Sequence, residues 1–145
     1  MRLELLCELR LRYRSDFLLL RPYGGEQGAG YGEVDGTVVG GRLRGRFQGV
    51  NHPRRRNDRA MLPAVEGAIK TDDGSDILFS FAGRTVWVDT PAGRQGRQLL
   101  GVLFEAEDER YRWLNDTYCV LEGKISPEPP HEMQARIYSC VSEMA

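Results

Sequence analysis

This chain has little that could hold a metal, form a disulfide framework or draw in a nucleic acid. Its three cysteines, Cys7, Cys119 and Cys140, are an odd number with no C-x-x-C spacing, which argues against a disulfide scaffold and a structural zinc site. The only two histidines, His52 and His131, lie far apart and without clustered carboxylates, so no metal is expected. Charges nearly cancel, at a formal −1. The run Arg54-Arg55-Arg56 with Arg59 lacks the interleaved aromatics of a single-strand binder, so it reads as a solvated loop and no nucleic-acid partner is expected. No apolar run reaches the ~18 residues of a membrane span, so no membrane partner is expected. The N-terminus alternates too regularly for the apolar core of a signal peptide, which makes a cytoplasmic, reducing compartment the default expectation. The stretch 23–32 (YGGEQGAGYG) has glycines but not the lysine and spacing of a phosphate-binding loop, and is expected to be a flexible loop. No cofactor is expected.

What is present is strand signal. At 145 residues, 41% hydrophobic and 28% charged, the chain has the composition and length of one globular domain, residues 1–145. Leu3, Leu5, Cys7, Leu9, Leu11 and Tyr13 recur with period two, charged residues stand between them, and Leu6 is the exception. This predicts a strand. The 17 glycines are scattered and not periodic, which fits turns, bulges and strand bends. The segment GEVDGTVVGGRLRGRFQGV reads as one long strand or a pair. The Thr71-Asp72-Asp73-Gly74 turn before ILFSFAG signals a hairpin, and its two aspartates are better explained by the turn than by a site. LLGVLFEA and MQARIYSCV are further strands, the latter with Met133, Ala135 and Ile137 on one parity. The prediction is an all-β fold: a closed antiparallel β-barrel of roughly eight to ten strands, calycin-like in appearance, with a central cavity and a sandwich as the rival.

The stretch DERYRWLNDTYCVLEG sets Tyr111, Trp113, Leu114 and Tyr118 around Asn115 and reads as a helical turn feeding a strand. Asn115, with Trp113 and Tyr118 beside it, is the leading ligand-binding candidate; a structural cap or turn is the alternative. Glu66, if it points inward, is a candidate general base or acid whose pKa burial would raise. His52 could reach a ligand from a loop at the barrel mouth. His131, in a proline-rich loop, is the weaker histidine. Arg44 or Arg42 could hold an anionic group, although most of Arg42, Arg44 and Arg46 should face outward. If Ile137 packs outward, Arg136 and Tyr138 line the interior, and Tyr138 could donate to a developing oxyanion. The cysteines are expected to be inert and buried.

Four motifs in order carry a family resemblance. GTVVGGRLRG (36–45) resembles the G-x-V-x-G-P-R-L-x-G element of the domain-of-unknown-function 3237 (UPF0311) family. Thr71-Asp72-Asp73-Gly74 with Ser75 and Ile77 is similar to its T-D-D-G-A-x-I turn. Tyr111, Trp113, Leu114 and Asn115 match its Y-x-W-L-N, and Arg136-Ile137-Tyr138 resembles its closing V-Y-E segment. The resemblance covers almost the whole chain. It implies a closed antiparallel barrel with a central cavity, a homodimer or larger homo-oligomer, and a small-molecule pocket with tailoring work in secondary metabolism. Two departures stand out. Gly41 replaces the family's proline, and Ala64, Glu66 and Gly67 occupy its D-x-R-Y positions, which points to a divergent substrate. The functional expectation is a cofactor-independent small-molecule enzyme, of isomerase, cyclase or lyase type, acting by proton transfer on a cyclic or polyketide-like substrate. The alternative is a non-catalytic small-molecule binding or carrier barrel, and a packed barrel with a structural or assembly role is a third reading.

Overall fold

Successive side chains of a strand point to opposite faces, and this chain repeatedly places an apolar residue on every second position. The computed structural model describes residues 1–144 except 15, 16, 23, 25 and 26. Its strands are β1 (Arg2–Tyr13), β2 (Leu18–Leu19), β3 (Gly28–Val39), β4 (Gly45–Asn51), β5 (Arg54–Arg55), β6 (Met61–Leu62), β7 (Ala64–Thr71), β8 (Asp76–Thr90), β9 (Gly93–Ala106), β10 (Cys119–Ile125) and β11 (Met133–Val141). A 3-10 turn, Arg112–Asp116, separates β9 from β10. The described residues include no α-helix, and thus no helix long and apolar enough to cross a membrane.

Eight strands close on themselves in the order β1–β3–β4–β7–β8–β9–β10–β11 and back to β1, each neighbour antiparallel. Closure satisfies both edges of every barrel strand, as the expected barrel requires and a sandwich does not. The expected strand pair in residues 32–50 is β3 and β4, and the Asp-Gly hairpin joins β7 to β8 with Gly74 at φ 93°. The expected loop at 23–32 is only partly a loop. Residues 28–32 already belong to β3, while 23, 25 and 26 lie outside the described residues.

The middle of the barrel is filled. Leu9, Val34, Phe47, Ile69, Phe81 and Val102 are all buried and point inward from six strands. Phe47 and Phe79 approach to 4.6 Å between ring centroids, and Phe79 stacks on Phe81 at 5.4 Å. Rings this large need space opposite them, and glycines supply it. A Cβ on Gly36 would lie 1.9 Å from the Arg10 carbonyl oxygen, and one on Gly67 would lie 2.2 Å from that of Gln48. Only glycine lets the neighbouring strand coil in that closely.

The N-terminal alternation breaks once. The β1–β11 register shifts between Leu5 and Cys7, so the extra residue is Leu6, the one that did not fit the period. Past that bulge Cys7, Leu9 and Leu11 face the core. Before it Leu3 and Leu5 turn outward, 50% and 58% exposed.

Candidate functional site

The barrel has two dissimilar ends. The β3–β4 and β7–β8 turns and the 3-10 turn close one of them, with Leu43 and Leu114 fully buried beneath. Here polar groups are spent on one another. Tyr111 donates from its hydroxyl to Asp73 Oδ2 at 2.8 Å, and Thr71 Oγ1 donates to Asp73 Oδ1 at 2.5 Å. The Arg110 guanidinium donates to Ser75 Oγ at 2.8 Å and to Asp108 Oδ2 at 2.7 Å. Ser75 Oγ in turn donates to Asp108. Hydrogen bonds from Arg110 and Ser75 hold the Asp108 carboxyl well below the usual carboxylate range. Those from Thr71 and Tyr111 lower that of Asp73. This end is a plug.

Asn115 belongs to the plug, not to a cavity. Its Oδ1 accepts from the Ala106 N–H at 2.7 Å and its Nδ2 donates to the Ala106 carbonyl at 2.8 Å. Both ends of the amide are committed to pinning the 3-10 turn onto β9, which is the structural alternative for this residue. Its neighbours behave alike. Trp113 Nε1 donates to the Arg110 carbonyl at 3.1 Å, and the Arg42 guanidinium lies 3.6 Å over the Trp113 ring. Tyr118, 53% exposed, covers the outside of Gly101.

The other sequence candidates also lie outside the barrel. Glu66 is exposed on the outer face of β7, because its neighbours Val65 and Ile69 take the inward positions. His52 is exposed, with its ring edge-on to Tyr31 at 5.3 Å. Ile137 is buried inside, so Arg136 and Tyr138 face outward. Tyr138 donates to Glu122 Oε1 at 2.8 Å, and Arg136 lies 3.8 Å from Glu8. Arg44 is exposed in the β3–β4 connection. None of these residues shares a cavity with another.

The open end does contain a cavity, of about 520 Å³, within the usual range for a small-molecule pocket. The larger concavities of this protein are grooves along the outside of the barrel, lined largely by outward charged and polar side chains such as Arg12, Asp35, Arg46 and Lys70. In the mouth cavity the walls are Phe17, Pro53, Trp87 and Ile125, and the polar floor is Tyr13, Asn51, Thr85, Gln98 and His131. Local sequence explains the aromatic walls. Gly32 stands where a Cβ would be 2.4 Å from the Tyr13 ring, and Gly96 where one would meet Trp87 at 3.2 Å. The rings fold inward because those two positions are bare.

The polar floor is incompletely satisfied. Asn51, only 6% exposed, accepts the Ala64 N–H at 3.1 Å and donates through Nδ2 to the Tyr13 oxygen at 2.7 Å. The Tyr13 oxygen is therefore an acceptor here, and its own proton has no acceptor among the described residues. Burial raises the Tyr13 pKa, which keeps that proton in place, and the Asn51 hydrogen bond opposes the rise. Gln98 Nε2 donates to Thr85 Oγ1 at 3.0 Å, but its Oε1 is buried without a partner among the described residues. An unpaired buried polar atom costs about 1–3 kcal/mol, and it lies at the floor of the cavity.

His131 stands beside Tyr13, its ring edge-on at 5.7 Å. Its Nδ1 is 3.2 Å from the Ser126 carbonyl oxygen. A carbonyl only accepts, so Nδ1 carries a proton, and in the neutral ring the lone pair is on Nε2. The Tyr13 N–H donates to the Pro130 carbonyl at 3.0 Å, tying the histidine loop to the end of β1. His131 has φ 53° and Arg59, on the same cavity wall, φ 71°. These are the only non-glycine residues with positive φ among those described. Strained backbone of this kind gathers where a site dictates geometry.

The closed antiparallel barrel is a fold with solved neighbours. A β-barrel-like protein from Acinetobacter baumannii is 18% identical over 95% of this chain and 94% of its own, with a TM-score of 0.83. A protein of unknown function from Clostridium acetobutylicum is 17% identical over 97% of each chain, at 0.80. An enzyme from Penicillium herquei is 18% identical over 94% of this chain and 93% of its own, at 0.67. At these identities the likeness is one of fold. No family model matches the chain, and neither does any curated protein.

Proposed function

We propose that this barrel is a cofactor-independent enzyme that moves a proton on a cyclic small molecule seated in its mouth. His131 Nε2 removes a proton from a carbon next to a substrate carbonyl. The electron pair passes to the carbonyl oxygen, which accepts a hydrogen bond from the Tyr13 hydroxyl, and Asn51 holds that tyrosine in place. Where the substrate carries a β,γ double bond the intermediate is a dienolate. Return of the proton from the His131 imidazolium to its γ-carbon, as the carbonyl re-forms and the double bond shifts to α,β, completes an isomerisation. The observation that carries this reading is the pairing of a tyrosine whose proton has no acceptor among the described residues with a histidine whose Nδ1 faces a backbone carbonyl, side by side over an apolar-walled pocket. Structural likeness to an enzyme from Penicillium herquei fits the reading, as does the sequence resemblance to the DUF3237 family, whose membership we include in the proposal.

The probe is 5-nitrobenzisoxazole, which opens to a coloured cyano-nitrophenolate when a base removes the C3–H proton of its isoxazole ring and the N–O bond breaks. The protein should turn it over with saturation, and His131→Gln should lower the rate by about 10²-fold or more. An unchanged rate in that variant contradicts the assignment. A second reading, a carrier that binds without reacting, draws on the unpaired Gln98 oxygen, which would hold a ligand whether or not chemistry follows. Saturable binding with no turnover of the probe favours that reading.

A further inference from the structure

We propose that the ligand of the mouth pocket is a flat, ring-bearing anion with a hydroxyl group at the end opposite its charge. The inference rests on the pocket assigned above but not on its being catalytic. The floor specifies the hydroxyl. Gln98 is 6% exposed and has one end of its amide bound to Thr85 and the other unpaired among the described residues. A hydroxyl both donates and accepts, so it completes this amide in either orientation. The walls specify the ring, because Trp87 and Phe17 offer aromatic surface above that floor.

The rim specifies the charge. Arg55, Arg59 and Arg94 all line the cavity, and no aspartate or glutamate does among the described residues. The fourth arginine there, Arg56, is already engaged by Asp58 through two hydrogen bonds of 2.9 and 2.6 Å. Arg94 lies 5.8 Å over the Trp87 ring, at the junction of wall and rim. In a chain whose net charge is −1, this is a local concentration of guanidinium, the side chain best suited to a carboxylate. Arg59 is held on that rim by the β5–β6 turn, where its N–H donates to the Arg56 carbonyl at 2.9 Å and its φ is 71°.

Calorimetric titration with three probes that share the ring separates the hydroxyl from the charge: 6-hydroxy-2-naphthoate, 2-naphthoate without the hydroxyl, and 2-naphthol without the charge. The hydroxyacid should bind tightest, with each deletion weakening it about tenfold, the scale of one well-made hydrogen bond or ion pair. The combined variant R55Q/R59Q/R94Q should bring the hydroxyacid down to the affinity of 2-naphthol and leave 2-naphthol unchanged. Gln98→Leu should erase the preference for hydroxyacid over 2-naphthoate. Rising salt should weaken the two acids and not the naphthol. Equal affinity for naphthol and acid, indifference to the arginine variant, or no binding of any probe overturns the proposal. His131→Gln should still bind the hydroxyacid. Loss of nitrobenzisoxazole turnover with binding intact therefore sustains the catalytic reading, and unchanged turnover with binding intact ends that reading while this one stands.

Discussion

The two ends of the barrel use the same kinds of side chain for opposite purposes. At the plug, Asn115, Tyr111 and Asp73 each have their hydrogen-bonding capacity taken up by neighbours. At the mouth, Asn51 is likewise committed, but it leaves the Tyr13 proton undirected, and Gln98 Oε1 has no partner among the described residues. An amide beside an aromatic ring is thus no guide to function by itself. What distinguishes the ends is whether polar capacity is left over, and at the mouth it is left over inside a cavity.

Substitutions should separate the ends cleanly. Leu114→Ala empties a fully buried position beneath the plug and should cost about 2–5 kcal/mol in a denaturant titration. Tyr13→Phe should lower nitrobenzisoxazole turnover by about 10²-fold, from the loss of one oxyanion donor. Tyr13→Phe also takes the acceptor from the buried Asn51 Nδ2, so it should cost about 1–3 kcal/mol of stability besides the loss of turnover. Asn115→Ala should cost about 1 kcal/mol of stability and leave affinity for 6-hydroxy-2-naphthoate unchanged. That outcome reverses the expectation, drawn from sequence, of a loss of affinity larger than the loss of stability.

Acid should loosen the plug. The carboxyls of Asp73 and Asp108 have lowered pKa values in the folded chain. Their contribution is therefore complete above the unfolded carboxylate pKa of about 3.9 and is lost as pH falls below it toward the folded values. Melting curves between neutral pH and pH ~3 should show stability falling only at the acid end, and Asp108→Asn should flatten that fall. The smallest effect concerns the thiols. Burial pushes Cys7 up to about 12 and Cys119 up to about 11, so iodoacetamide at neutral pH should spare both in the native protein. Carbamidomethylation of either, read by mass spectrometry before unfolding, would show the interior to be looser than described.

The fold was legible because its signal is local. Period-two alternation, glycines at close approaches and an Asp-Gly turn mark strands and hairpins wherever they occur, and eight such strands close into the barrel. The site was much less so. Reading Glu66 inward and Arg136 and Tyr138 inward both required the parity of a strand, and in each case the buried partner, Val65 or Ile137, settles it the other way. In the sequence His131 is the weaker histidine because it sits among prolines, yet its loop packs back onto the end of β1, while His52 projects from the outer surface. Tyr13 reads in sequence only as the last residue of its strand's alternation. Gln98 carried no signal except its parity: it falls on the inward row with Leu100 and Val102, where an amide needs an explanation. Polar residues on an inward row, not aromatics around an amide, were the cue that could have found this pocket.

The chain's two tryptophans stand one at each end, Trp87 on the mouth wall and Trp113 against the plug. Their indole N–H resonances can be followed during a titration with 6-hydroxy-2-naphthoate. A saturable shift of the Trp87 signal with Trp113 unmoved is the result expected of a ligand site in the mouth. A shift confined to Trp113, or none at either end, would contradict it.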